Sequence, residues 1–136
     1  MAGLYLHIPF RTQPRAYDDA AYVTDASQQQ AFVRAAEKEL RSIGQTYADA
    51  SIRTLYLGGG RPSLLPPRLL NRLLGAVQEA FDRLDLEEAT LEANPVDCTP
   101  DALAHWRDAG IDRLSLAGLA FHPDDLDALG APHTSG

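Results

Sequence analysis

The sequence predicts an α/β fold, a partial (β/α) barrel of about four parallel strands with helices on the outer face. Three observations predict it. Short apolar runs alternate with longer segments of helical period, the pattern of repeated strand–helix units in a parallel sheet. The runs lie at residues 4–8, 52–57, 88–93 and 111–116, each of strand length rather than helix length. The chain has 136 residues, about half of the roughly 250 that a closed eight-stranded barrel takes. Residues 1–136 are therefore expected to form a single truncated half-barrel domain.

The first run, Leu4-Tyr5-Leu6-His7-Ile8, leads to a helix with Phe32, Val33, Ala36, Leu40 and Ile43 along one side. Asp25 and Ser27 both suit its N-cap, and Gly44 is expected to stop it as a left-handed C-terminal residue. After the second run, Pro66 and Pro67 fit the first turn of a helix whose apolar stripe is Leu69, Leu70, Leu73, Leu74, Val77 and Phe81. The third helix is marked at both ends. Thr99-Pro100-Asp101 supplies an N-cap, a first-turn proline and an acid suited to the helix dipole, and Gly110 ends the run that holds Leu103, Trp106 and Ala109. A fourth helical turn begins near Pro123 and includes Leu126 and Leu129.

Parallel crossovers are right-handed in nearly all cases, so successive strands should lie side by side. A half-barrel leaves two sheet edges open and an inner face without its opposing wall. Leu55, Leu57, Leu91, Ala93, Leu114 and Leu116 are expected to point alternately inward and toward the helices. Self-association, or a partner chain over the open side, is expected to cover the inward set.

Composition excludes several function classes. Twelve Lys and Arg stand against nineteen Asp and Glu, a formal charge of −7, so the basic face of a nucleic-acid binder is missing and acidic membranes are unsuitable partners. No stretch approaches 18 apolar residues, and Met-Ala-Gly-Leu-Tyr-Leu-His has neither a basic n-region nor an apolar h-region. A cytoplasmic location is the expectation. The single cysteine, Cys98, excludes an internal disulfide and a metal centre built from several thiolates. With no base beside it in sequence, it reads as a small apolar filler. His7, His105, His122 and His133 contain no pair at i,i+4 spacing, and read as core or surface histidines rather than metal ligands. Tyr17, Tyr22 and Tyr47 read as packing or surface residues. No catalytic residue and no metal ligand are assigned.

In parallel α/β folds ligands sit at the carboxyl ends of the strands. Gly58, Gly59 and Gly60 stand at one such end, where absent side chains let the backbone approach a ligand and offer it N–H and C=O groups. The lysine and spacing of a phosphate loop are missing, and a tight structural turn fits the three glycines as well as a binding loop does. Glu92, at the end of the third run, is placed to accept hydrogen bonds from ligand hydroxyls or an amine, with a solvated strand-end glutamate as the plain alternative.

Four stretches in order resemble one family: Leu4-Tyr5-Leu6-His7-Ile8-Pro9-Phe10; Tyr56-Leu57-Gly58-Gly59-Gly60-x-Pro62-Ser63-Leu64-Leu65; Leu91-Glu92-Ala93-Asn94-Pro95; and Gly110-Ile111-Asp112-Arg113-Leu114-Ser115-Leu116. They look like the N-terminal half of the radical S-adenosylmethionine proteins related to oxygen-independent coproporphyrinogen III oxidase and to the heme chaperone type. The resemblance implies a barrel of the radical S-adenosylmethionine type, a role in porphyrin or heme metabolism, and a family cofactor set of a [4Fe–4S] cluster with S-adenosylmethionine. It further implies that Tyr5 contacts adenosylmethionine, that Gly58, Gly59 and Gly60 lie along its methionine part, and that Glu92 holds a polar group of it. The family's three cluster cysteines fall at Arg11, Arg15 and Asp18. Arginine offers iron no lone pair and Asp18 is a hard carboxylate, so no cluster is expected. The family's threonine after the glycines is Arg61, its Gly-Val-Gln-Ser after the fourth strand is Ala117-Gly118-Leu119-Ala120, and a further arginine is Ala131.

The first expectation is thus a degenerate, truncated family member without radical chemistry. A second is an anion- or nucleotide-binding module, with Arg11, Arg15 and Arg61 turned into the space the cluster would fill; the plainer alternative has them facing solvent or paired with Asp18 and Asp19. A third is a non-functional gene remnant.

Overall fold

The computed structural model describes residues 2–13, 21–131 and 133–134. Among the described residues four strands alternate with four α-helices: β1 (Ala2–Ile8), α1 (Gln29–Thr46), β2 (Ile52–Gly59), α2 (Pro67–Ala80), β3 (Leu84–Ala93), α3 (Pro100–Asp108), β4 (Arg113–Leu116) and α4 (Pro123–Ala128). The strands form one sheet in chain order, β1-β2-β3-β4, and every neighbouring pair is parallel. The α/β order of four parallel strands with helices read from the sequence is what the chain adopts.

Register sorts the side chains by chemistry. Leu6, Leu57, Leu91 and Leu114 are partners in one row, and Tyr5, Tyr56, Thr90 and Arg113 in the adjacent row. Because successive strand residues face opposite sides, the leucine row lies under the helices. There Leu57 and Leu91 are fully buried in a core shared with Val33, Leu40, Leu70, Leu73 and Trp106. Each such leucine contributes about 1.5–3 kcal/mol of transfer free energy. The tyrosine row lies on the face without helices.

The expected alternation of Leu55, Leu57, Leu91, Ala93, Leu114 and Leu116 is therefore corrected. Within each strand these residues are two apart, and the strands run in step, so all six fall on the helix side: Leu55 pairs with Ala89 and Ala93 with Leu116. The uncovered face is polar. On it Thr90 donates to Glu88 at 2.9 Å and accepts from Arg113 at 3.2 Å, and Arg113 stands 3.5 Å from Glu88.

The helix boundaries follow their local chemistry. Asp25 accepts from the Ser27 N–H at 2.9 Å and caps a short 3-10 turn, Ala26–Gln28, that runs into α1. Thr99 accepts from the Ala102 N–H at 3.2 Å to cap α3, and Gly110 follows it at φ +94°. Leu126 of α4 is buried. Gly44 departs from expectation, for α1 continues through it to Thr46. Its role is close approach: a Cβ there would sit 2.0 Å from the Ala80 carbonyl oxygen at the end of α2.

Candidate functional site

The carboxyl ends of β1, β2 and β3 converge. Tyr5 stacks on Tyr56 with ring centroids 5.8 Å apart and planes 24° from parallel, an arrangement the shared register row enforces. The Tyr56 hydroxyl donates to Glu92 Oε1 at 2.7 Å and the Gly59 N–H donates to Oε2 at 3.0 Å. The sequence-derived residues Tyr5, Gly58, Gly59 and Glu92 are thus brought together. A Cβ on Gly58 would lie 3.0 Å from Cε2 of Tyr5 and 3.1 Å from Cδ of Glu92. Gly59 has φ +107°, a conformation open in practice to glycine alone, and its N–H reaches Glu92 from it. Gly60 faces the first loop, donating to the Ile8 carbonyl at 2.8 Å.

Both tyrosine hydroxyls are held neutral at pH 7. Burial pushes Tyr5 above the ordinary phenol range, with the charges of Glu92 and Tyr56 adding to it. For Tyr56 the hydrogen bond with Ser115 works downward, but the bond to Glu92, burial and the Glu92 charge outweigh it, so it too is raised. A neutral phenol keeps its proton to donate. Tyr56 was not visible as a site residue from sequence. Only the β2–β3 register places it beside Glu92, although its even spacing from Gly58 hinted at the same face.

A cleft of about 250 Å³ opens here, lined by Gly59, Gly60, Arg61, Glu92, Asn94 and Ser115. The larger hollow, about 710 Å³, lies between α3 and β4, away from the glycines and Glu92. It belongs to the open edge of the sheet, and its walls of Leu103, Trp106, Ile111 and Leu114 carry little chemistry.

Of the three arginines expected to face an anion pocket, the two that are described, Arg61 and Arg11, have partners within the protein. Arg61 makes a two-pronged ion pair with Asp97, Nε to Oδ2 at 2.7 Å and Nη2 to Oδ1 at 2.5 Å, and Ser63 donates to the same carboxylate at 2.5 Å. Both side chains of the pair are largely buried. Burial works to raise the Asp97 carboxyl, but the hydrogen bonds from Arg61 and Ser63 outweigh it and hold the group below the usual carboxylate range. Arg61 is therefore largely withdrawn from solvent in this pair, and Asp18 and Asp19 lie outside the described residues. Arg11 is 5% exposed. Its guanidinium carbon lies 5.5 Å over the Tyr22 ring and its Nη2 donates to the Gly59 carbonyl at 3.4 Å. Arg15, Asp18 and Tyr17 lie outside the described residues.

These residues do not fit an iron–sulfur cluster. Arg11 and Arg15 cannot ligate iron, and Cys98 stands elsewhere, its thiol 3.6 Å from the Asn94 carbonyl and pushed up in pKa by burial and then by Asp97. Among the described residues no group of three or more His, Cys, Asp or Glu is arranged to hold a metal ion. His7 contacts the Tyr5 hydroxyl at 3.3 Å, and Nε2 of His133 lies 2.9 Å from the Gly118 carbonyl oxygen. Leu119, at the family's glutamine position, has φ +50°, an uncommon conformation for a leucine. Among the described residues no helix is long and apolar enough to cross a membrane.

No family model matches the chain. It is 36% identical to the heme chaperone HemW of Lactococcus lactis over 96% of its own length and 34% of that protein. It is 29% identical to the oxygen-independent coproporphyrinogen III oxidase of Salmonella typhimurium over 90% of its length and 27% of the relative. The solved structure of coproporphyrinogen III oxidase (HemN) from Escherichia coli, described as a radical SAM enzyme, superposes with a TM-score of 0.81 at 23% identity, covering 95% of this chain and 30% of that one. The chain thus spans about a third of the length of these relatives. Over nearly its whole length the chain is similar to proteins named heme chaperone HemW and oxygen-independent coproporphyrinogen III oxidase.

Proposed function

We propose that this chain is a degenerate member of that family, a strand-end binding domain that works without cluster-dependent radical chemistry. One observation carries the reading. At the first of the three cluster positions stands a buried arginine already committed to Tyr22 and the Gly59 carbonyl, and the other two positions are Arg15 and Asp18. Loss of thiolate at all three removes the donor set itself, not merely its geometry. The ligand end, meanwhile, keeps Tyr5, the three glycines and Glu92. Its polar floor offers a carboxylate acceptor and neutral hydroxyls, so it suits a ligand that brings hydroxyl or amine donors.

Anaerobic reconstitution with iron and sulfide tests the reading. No charge-transfer absorption and no bound iron are expected, and a stoichiometric four-iron species would overturn it. Restoring cysteine at positions 11, 15 and 18 together is expected to give partial iron binding at best, because shielding by surrounding residues governs cluster retention. Adenosylmethionine should bind poorly. Without a metal anchor, and with Leu119 and Ala131 at two polar positions of the family, several charge-assisted hydrogen bonds of about 1.5–3 kcal/mol each are absent. Calorimetric titration should show no saturation below about millimolar. Micromolar binding abolished by Glu92→Ala would show that the ancestral pocket survives intact.

A further inference from the structure

We infer that Arg11 is a positioning residue for the Glu92 carboxylate, acting through Gly59. A guanidinium 5% exposed is costly to bury unless its charge is used. Here its central carbon lies 5.5 Å from the Tyr22 ring centroid and its Nη2 donates to the Gly59 carbonyl. The same glycine, at φ +107°, turns its N–H to Glu92 Oε2 at 3.0 Å. Gly59 is therefore held at both of its polar groups. Since one φ and one ψ relate those groups, loosening the carbonyl frees the amide as well. Glycine's freedom makes restraint from outside the residue matter, since no side chain selects this conformation; the Gly60 N–H, in the same peptide unit as the Gly59 carbonyl, shares the task through its bond to the Ile8 carbonyl.

The arginine is itself delivered from a fixed frame. Its N–H donates to the Val23 carbonyl at 3.0 Å, Val23 N–H donates to Pro9 O at 2.8 Å, and Arg61 N–H donates to Phe10 O at 2.8 Å. These bonds tie the start of the β1–α1 connection to its end and to the glycine loop. Tyr22 then fixes the guanidinium from the far side of that connection. Order passes from the backbone bridge to Arg11, from Arg11 to Gly59, and from Gly59 to one oxygen of Glu92. The Tyr56 hydroxyl fixes the other oxygen independently. The result is a carboxylate whose two oxygens are aimed before any ligand arrives, which is what pre-organisation of a site requires.

This rests on the proposed reading only in taking Glu92 as the ligand-facing acceptor. The test needs no ligand, so the two fail separately. Amide hydrogen exchange is measured at Gly59, with the core amides of Leu57 and Leu91 as internal reference, in the unmodified chain and in Arg11→Met and Arg11→Lys. Exchange at Gly59 is expected to rise about tenfold more than at the reference amides in Arg11→Met, as local opening does, with Arg11→Lys in between. Equal changes at all three amides, or none at Gly59, would reduce Arg11 to packing and overturn the inference. Guanidinium NMR on the unmodified chain covers the case in which the variants do not fold. The Arg11 Nη hydrogens should be protected and show proximity to the Tyr22 ring, and exchange as fast as that of exposed Arg68 would overturn the inference by itself.

Discussion

Arg61 and Asp97 show how one ion pair ties two strand ends together. Arg61 ends the glycine loop and Asp97 closes the turn after β3, so their two-pronged pair joins the carboxyl ends of β2 and β3. Removing one partner of a largely buried pair leaves the other charge unmatched, which costs about 3 kcal/mol. Arg61→Ala should therefore lower unfolding free energy by about that amount at pH 7, measured by denaturant titration. The pH dependence has a definite sign. The folded-state pKa of Asp97 is depressed, so the unfolded chain binds the proton more readily. The stabilisation is complete above the unfolded pKa of about 3.9 and is lost as pH falls through the folded value. Between pH 7 and pH 3 the unmodified chain should lose more stability than Arg61→Ala, and equal losses would refute the assignment. This pairing was illegible in the sequence, because the partners stand 36 positions apart and nothing local marks Asp97 as more than a loop acid. Glu92 was legible as an acceptor because strand order alone puts it at the ligand end. Its two donors, Tyr56 and Gly59, depend on register and on a dihedral angle that composition does not encode.

At the scale of elements, the reading of the helices succeeded where a signal was local and failed where it was tertiary. Thr99 and Gly110 bound α3 because a hydroxyl acceptor and a residue free to take positive φ are local devices. Gly44 carries the same letter as Gly110 and does a different job. In α1 it gives up a side chain so that the Ala80 carbonyl can come within what would be Cβ distance. Gly44→Ala is thus expected to destabilise by 2 kcal/mol or more, on the order of an overpacked core site, even though alanine is the better helix former by about 1 kcal/mol. Gly75 of α2 supplies the control, since a Cβ there would meet nothing within 4 Å. Gly75→Ala should stabilise by about 0.5–1 kcal/mol through helix propensity alone. Thermal or chemical denaturation of the two variants should move in opposite directions, and movement in the same direction would contradict the close α1–α2 approach. The strands were legible from their apolar runs, but the face each leucine occupies was not. Alternation fixes which residues share a face, and only the in-step register decides that all four leucines of one row face the helices.

For the whole molecule, that register changes the physical basis of association. The face without helices carries Tyr5, Tyr56, Thr90, Glu92 and Arg113, with several of their polar groups already satisfied by one another. Thr90 is fully buried among these neighbours, and Tyr5 is the large apolar group that the face leaves exposed. Among the described residues, four of the exposed large apolar groups, Leu103, Leu116, Leu119 and Phe121, lie in or after α3 and β4, with Phe121 92% exposed, while on the open face Tyr5 alone is exposed, at 54%. Among the described residues β4 pairs with β3 alone, and the free side of such a strand is a template for a further strand. We propose that a second copy of the chain associates through this edge rather than through the open face. Sedimentation velocity over a concentration series should then show reversible self-association. Leu116→Lys together with Phe121→Ser should abolish it, because charge on an edge strand opposes strand pairing and the largest exposed ring is gone. Tyr5→Ser, on the open face, should leave it unchanged. A monomer at every concentration would refute association, and a Tyr5→Ser variant that alone dissociates the dimer would return the contact to the face.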